Sequence, residues 1–181
     1  MPADTSLKRV FPLTIQRGMS QSDSYILMLG EAETGTQIPI FIGGYEAQSI
    51  LLAQEHVDTR RPMTHMLLSR IMQEYALSLV EVTIDRVSEG IFYATLHVSD
   101  GFSQKRFDSR TSDAIALALL SGSPIFVASQ VLEECGVPIT HSGQASVEEL
   151  EARLRRCEEN EEYEQAAEIQ KQIDELKNSR Q

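Results

Sequence analysis

The stretch Asp108-Ser-Arg-Thr-Ser-Asp-Ala-Ile-Ala-Leu-Ala-Leu119 decides how this chain is read. A charged, hydroxyl-rich knot runs straight into an apolar helical run. Asp108, Arg110, Ser112 and Asp113 crowd the place where a strand should end and a helix begin. Helix N-termini carry unpaired N–H groups and partial positive charge, so they attract anions. Local chemistry leaves two readings level. In one, Thr111 or Ser112 caps the helix, Asp113 complements its dipole and Arg110 pairs with Asp108. In the other, Asp108 and Asp113 are general base or metal ligands and Arg110 clamps a phosphate.

Downstream, Ser121-Gly-Ser-Pro124 stops a helix predicted over Ser112–Leu120. A strand from Pro124 to Ala128 and a short helix from Gln130 to Cys135 follow. Upstream, Val80, Val82 and Ile84 alternate with Glu81, Thr83 and Asp85. Phe92, Ala94, Leu96 and Val98 alternate with Tyr93, Thr95 and His97, so the two runs read as a hairpin. A third strand, Ser103–Ser109, leads into the opening motif.

The first part of the chain reads as strands Val10–Ile15, Tyr25–Leu29 and Ile38–Ile42. The last of these runs into Gly43-Gly44. Two glycines permit a sharp turn or backbone N–H groups facing an anion. A helix over Tyr45–His56 follows, with Ala47, Ile50, Leu51 and the stem of Gln54 on its inward face. Glu46 sits in its first turn as a possible third carboxylate. Arg61-Pro-Met-Thr-His65 then forms a turn, with Thr64 as N-cap of a helix over Thr64–Ala76. Its apolar stripe is Leu67, Leu68, Ile71, Met72 and Tyr75. His65 falls in the first turn, where a histidine titrating near neutrality suits general acid/base work.

Composition narrows the classes. The 181 residues carry a net charge of −11 and are 41% hydrophobic. The acidic excess is shared by residues 1–144 and 145–181, so neither part is a basic nucleic-acid module. A nucleic-acid contact therefore needs a local patch or a metal ion. No apolar run approaches the roughly 18 residues of a membrane span, and the N-terminus lacks an apolar signal core. Cys135 and Cys157 make neither a disulfide framework nor a metal spacing. These features predict a cytoplasmic protein with no membrane segment.

Composition shifts at residues 141–145, read as a linker. Ser146-Val-Glu-Glu149 is a capping box. Val147, Leu150, Leu154 and Cys157, then Ala166, Ile169, Ile173 and Leu176, predict a helical hairpin over 146–178. So small a unit buries little surface alone and calls for a protein partner or its own copy.

Three motifs in one order carry a family resemblance. Ile38-Pro-Ile-Phe-Ile-Gly43 with Glu46-Ala47, Arg61-Pro-Met-Thr-His65, and Asp108 through Ala118 resemble the bifunctional nuclease domain family over roughly residues 8–138. The resemblance implies an α+β domain with RNase and DNase activity. Two positions depart from the family pattern. Met66 follows His65 where the family usually has Asp, and Thr111 stands where it usually has Pro. The tail, from Leu150 through Tyr163-Glu-Gln-Ala-Ala167 to Leu176, is similar to the UVR motif of the excinuclease B subunit. That likeness implies protein–protein contact.

The expectation is thus an α+β domain over 1–140, a mixed, largely antiparallel sheet packed by helices, followed by a C-terminal α-helical hairpin. The leading function is a nuclease for RNA or DNA. His65, Asp108 and Asp113 would be catalytic, and Arg61, Arg110, Ser112, Gly43 and Gly44 would bind substrate. Asp108, Asp113 and Glu46 would be the ligands if Mg²⁺ or Mn²⁺ is used. A homo-oligomer is expected through residues 146–178. The rival is a non-enzymatic adaptor recruiting a partner through the hairpin, and a third reading is a small-anion sensor. Convergence of His65, Asp108 and Asp113 on one cleft would favour the enzyme. Burial of Arg110 against Asp108 would favour the adaptor.

Overall fold

The protein is described from a computed structural model, over residues 6–18 and 24–138. These lie in the first of two units, Met1–Pro138 and Ile139–Gln181. The expected linker 141–145 and hairpin 146–178, with Cys157, fall outside the described residues.

The elements follow the order β1 (Leu7–Arg17), β2 (Ser24–Glu31), β3 (Gln37–Gly43), α1 (Gly44–Gln54), α2 (Thr64–Glu74), β4 (Ser78–Ser88), β5 (Ile91–Ser99), β6 (Gln104–Arg110), α3 (Thr111–Ser121), β7 (Ile125–Ala128) and α4 (Ser129–Cys135). The strands form one seven-stranded sheet in the order β3-β2-β1-β7-β4-β5-β6. Every neighbour pair is antiparallel except β4 and β7, which run parallel. The domain is therefore α+β with a mixed, largely antiparallel sheet. No helix among the described residues is long and apolar enough to cross a membrane.

Helix α3 is the keystone of the packing. Ala114, Ile115, Ala116, Leu117 and Ala118 are each at most 2% exposed, so the helix is buried nearly all round. The sheet strands β4 and β5 lie against it, and α1 and α2 pack on it as well. Its alternating alanines explain this, because small side chains let neighbouring elements approach closely. The helix ends at Gly122, whose φ of 68° gives the left-handed turn that stops it.

Polar groups inside the domain are satisfied locally. The buried Glu31 carboxylate closes the β2–β3 turn by accepting bonds from the Thr34 hydroxyl at 2.5 Å, the Thr34 amide at 2.6 Å and the Glu33 amide at 2.9 Å. Those donors hold its pKa below the usual carboxylate value despite burial. On β4 and β5, the Thr83 hydroxyl donates to Asp85 at 2.7 Å and lies 3.2 Å from Nε2 of the buried His97. Thr95 donates to the other Asp85 oxygen at 2.5 Å.

Three expectations about faces are corrected. Most of the stripe expected on α2 points outward, with Leu67, Leu68, Ile71 and Tyr75 all exposed and only Met72 packed against the core. Its inward side runs through His65, buried Ser69 and half-buried Met72, because the His65 ring is turned toward the start of α3. On α1 the buried positions are Ala47, Ile50 and Ala53, while Leu51 is exposed. On β4 a bulge between Leu79 and Glu81 shifts the alternation, so Leu79 enters the core and Val80 does not.

Tight packing around α3 makes a direct prediction. Ala116→Leu should cost about 1–3 kcal/mol by overpacking, and Ile115→Ala about 2–5 kcal/mol by leaving a cavity. Urea unfolding followed by circular dichroism reads both. An Ala116→Leu protein as stable as the parent would mean the helix is not closely surrounded.

Candidate active site

The starts of α1, α2 and α3 lie together. None has a side-chain cap: the N-cap residues are Gly43, Met63 and Arg110. The capping expected of Thr64, Thr111 and Ser112 is therefore absent. Thr111 instead donates its hydroxyl to the Phe92 carbonyl at 3.0 Å, tying the start of α3 to β5. With no caps, side-chain charges from all three elements organise the region.

Asp113, in the first turn of α3, is the centre. Arg110 grips it with two prongs, Nε to Oδ2 at 2.8 Å and Nη2 to Oδ1 at 3.0 Å. A fork-to-fork pair of this kind is both strong and directional. Arg110 also donates from Nη1 to Glu46 Oε1 at 3.0 Å. The connection joins the last residue of one edge strand, β6, to the helix that follows the other edge strand, β3. His65 Nε2 lies 2.9 Å from Asp113 Oδ1. A carboxylate only accepts, so Nε2 carries the proton and a neutral His65 has its lone pair on Nδ1. That Nδ1 is buried and has no hydrogen-bond partner.

Burial pushes the Asp113 carboxyl up, but the Arg110 and His65 hydrogen bonds outweigh it and hold the pKa below the ordinary carboxylate value. The Asp113 carboxylate in turn raises Arg110 above its ordinary value, with Glu46 adding to the effect. Side-chain exposure is 18% for His65, 27% for Asp113 and 66% for Arg110, so the guanidinium is the accessible member. A cavity of about 210 Å³ opens here, lined by Tyr45, Glu46, Ser49, Met63, Thr64, His65 and Arg110. Arg110 and Glu46 also wall a neighbouring cavity of about 260 Å³, with Gly43, Thr111 and Ser112 beside Phe41 and Ile91.

Of the residues singled out in the sequence, His65, Asp113, Arg110 and Glu46 come together. Gly43 and Ser112 line the neighbouring cavity, and Gly44 lines a third depression along α1. A Cβ at Gly43 would sit 2.5 Å from Glu46 Oε2, the far end of a flexible side chain that would have to move aside. Asp108 is not part of the cluster. It lies exposed on β6 opposite Thr95, and Arg110 pairs with Asp113 rather than with it. Arg61 is exposed and lines neither cavity next to Arg110. Tyr45 and Phe41 escaped the sequence reading. Their signal was an aromatic on each side of a Gly-Gly turn, where no core position was assigned.

Asp108, Asp113 and Glu46 do not converge on a shared cation position in this arrangement. No three His, Cys, Asp or Glu side chains converge as a metal-binding group among the described residues. Arg110 bonds both Asp113 and Glu46, placing a guanidinium between the two carboxylates that a cation would need to share.

Asp113 sets a pH dependence. A carboxylate with a lowered folded-state pKa contributes stability above its unfolded pKa and loses it as pH falls through the folded one. Asp113→Asn should therefore flatten the acid limb of the stability curve while lowering stability at neutral pH. Thermal unfolding across the acid range reads both effects. Parallel curves for parent and variant would show that the bonds to Asp113 contribute nothing.

A profile of the bifunctional nuclease domain matches residues 27–140. Two Mycobacterium tuberculosis proteins are similar to the chain, the uncharacterized protein MT1877 of strain CDC 1551 / Oshkosh and the uncharacterized protein Rv1829 of strain ATCC 25618 / H37Rv. Each is 36% identical over 131 residues, covering 72% of this chain and 76% of the relative. The cluster of Glu46, His65, Arg110 and Asp113 lies wholly inside the matched region, and the chain belongs to the bifunctional nuclease domain family.

Proposed function

We propose that this domain hydrolyses phosphodiester bonds in RNA or DNA. The observation that carries the reading is the His65–Asp113 pair, with Arg110 bound to the same carboxylate. Asp113 orients the imidazole and fixes its tautomer, leaving the Nδ1 lone pair as the base. Water attacks phosphorus, and its proton passes to Nδ1. The bond from phosphorus to the leaving oxygen breaks, and that oxygen takes a proton from solvent. Arg110 stabilises charge on the non-bridging oxygens. Because Nδ1 is enclosed, its use requires a local movement of the cavity wall.

Charge balance defines the part Glu46 plays. With neutral His65, Asp113 and Glu46 together outweigh Arg110 by one negative charge, which opposes an incoming phosphate. A phosphate must therefore take the place of Glu46 on Nη1. Glu46 acts as a competitor that is displaced on binding.

A second reading, recruitment of a protein partner or a second copy, is favoured by the exposed apolar stripe Leu67, Leu68, Ile71 and Tyr75. The UVR-like hairpin expected over 146–178 adds a second association surface in that reading.

Steady-state cleavage of RNA and DNA by the full chain, with and without EDTA, tests the nuclease reading. His65→Ala should lower kcat about 10²–10⁴-fold, the range for a lost general base. Asp113→Asn should fall with it, Asp108→Asn should match the parent, and Glu46→Gln should lower KM. Equal cleavage by the parent and His65→Ala would sink the assignment.

A further inference from the structure

Two aromatic side chains flank the exposed guanidinium. Phe41, near the end of β3, is 74% exposed, and Tyr45, in the first turn of α1, is 84% exposed. Phe41 lines the cavity on one side of the Arg110–Glu46 pair, and Tyr45 lines the cavity on the other. Neither ring contributes to the core. Asp113 engages two of the five Arg110 N–H donors, which leaves three for a ligand that displaces Glu46 from Nη1.

The surroundings select among nucleic acids. Binding a duplex relies mainly on a field of positive charge along paired phosphates. This chain has a net charge of −11, and its site offers one exposed cation held between two carboxylates. Duplex bases also stack on one another, out of reach of rings at the mouth of a shallow depression. Bases of a single strand present free faces, and stacking on an exposed aromatic ring compensates for a weak electrostatic field.

We propose that the site takes single-stranded nucleic acid, with neighbouring bases stacked on Phe41 and Tyr45 on either side of a phosphate held by Arg110. This rests on the nuclease reading for the position of the phosphate. Ile91, also exposed, forms an apolar wall behind the Phe41 base.

The test uses the full chain carrying His65→Ala, so that the strand is bound and not cut. The probes are a fluorescein-labelled single strand, its duplex, and a base-free strand of equal length, read by anisotropy. The single strand should bind more tightly than either comparator. Phe41→Ala and Tyr45→Ala should each weaken single-strand binding about 5- to 150-fold, the range for one stacked base, without changing binding of the base-free strand. Phe41→Tyr and Tyr45→Phe should retain binding, which separates lost stacking from a disturbed fold. Equal affinity for single strand and duplex, or no loss in either alanine variant, overturns the proposal. Cleavage by the His65 parent that is indifferent to both alanine changes would leave the nuclease reading standing and this inference refuted. Stacking-dependent binding with no cleavage would do the reverse.

Discussion

Helix α3 is buried on nearly every side yet begins in charge, and the domain is arranged around that conflict. The alanines of Ala114-Ile-Ala-Leu-Ala118 let the sheet and two helices close on it. A helix so enclosed exposes little beyond its ends, and its start has no side-chain cap. Asp113 answers the partial positive charge of those N–H groups, but a carboxylate there also needs partners of its own. Arg110 and His65 supply them from a strand end and from a second helix. One carboxylate thus ties β6, α2 and α3 together, and Arg110 extends the tie to α1 through Glu46.

In the proposed hydrolysis the same network supplies the chemistry. A histidine held by a carboxylate has a defined tautomer and a defined orientation. A guanidinium split between two carboxylates is positioned before a ligand arrives, and one of its bonds can be exchanged for a phosphate oxygen. Asp113, gripped by two prongs and by His65, is the fixed partner. Glu46, held by a single bond, is the exchangeable one.

Much of this was legible in the sequence. Period-2 alternation located β4 and β5, the Gly-Gly turn located the start of α1, and Ser121-Gly-Ser-Pro124 located the end of α3. His65, Asp113, Arg110 and Glu46 were each suspected from local chemistry. Their grouping was not readable, because it depends on how α1 and α2 pack against α3. Asp108 was given the part that Asp113 plays with Arg110, since spacing along the chain favours both equally. The face of α2 was misread for a related reason. Apolar spacing marked Leu67, Leu68, Ile71, Met72 and Tyr75 as inward, but only Met72 packs on the core, on the side that also carries Ser69 and the His65–Asp113 bond.

The network rests on Asp113 fixing the His65 tautomer. Nitrogen-15 NMR of the imidazole, at a pH where His65 is neutral, tests it most directly. A proton on Nε2 and a bare Nδ1 are expected, with the preference lost in Asp113→Asn. A proton on Nδ1, or the same spectrum in the variant, would contradict it.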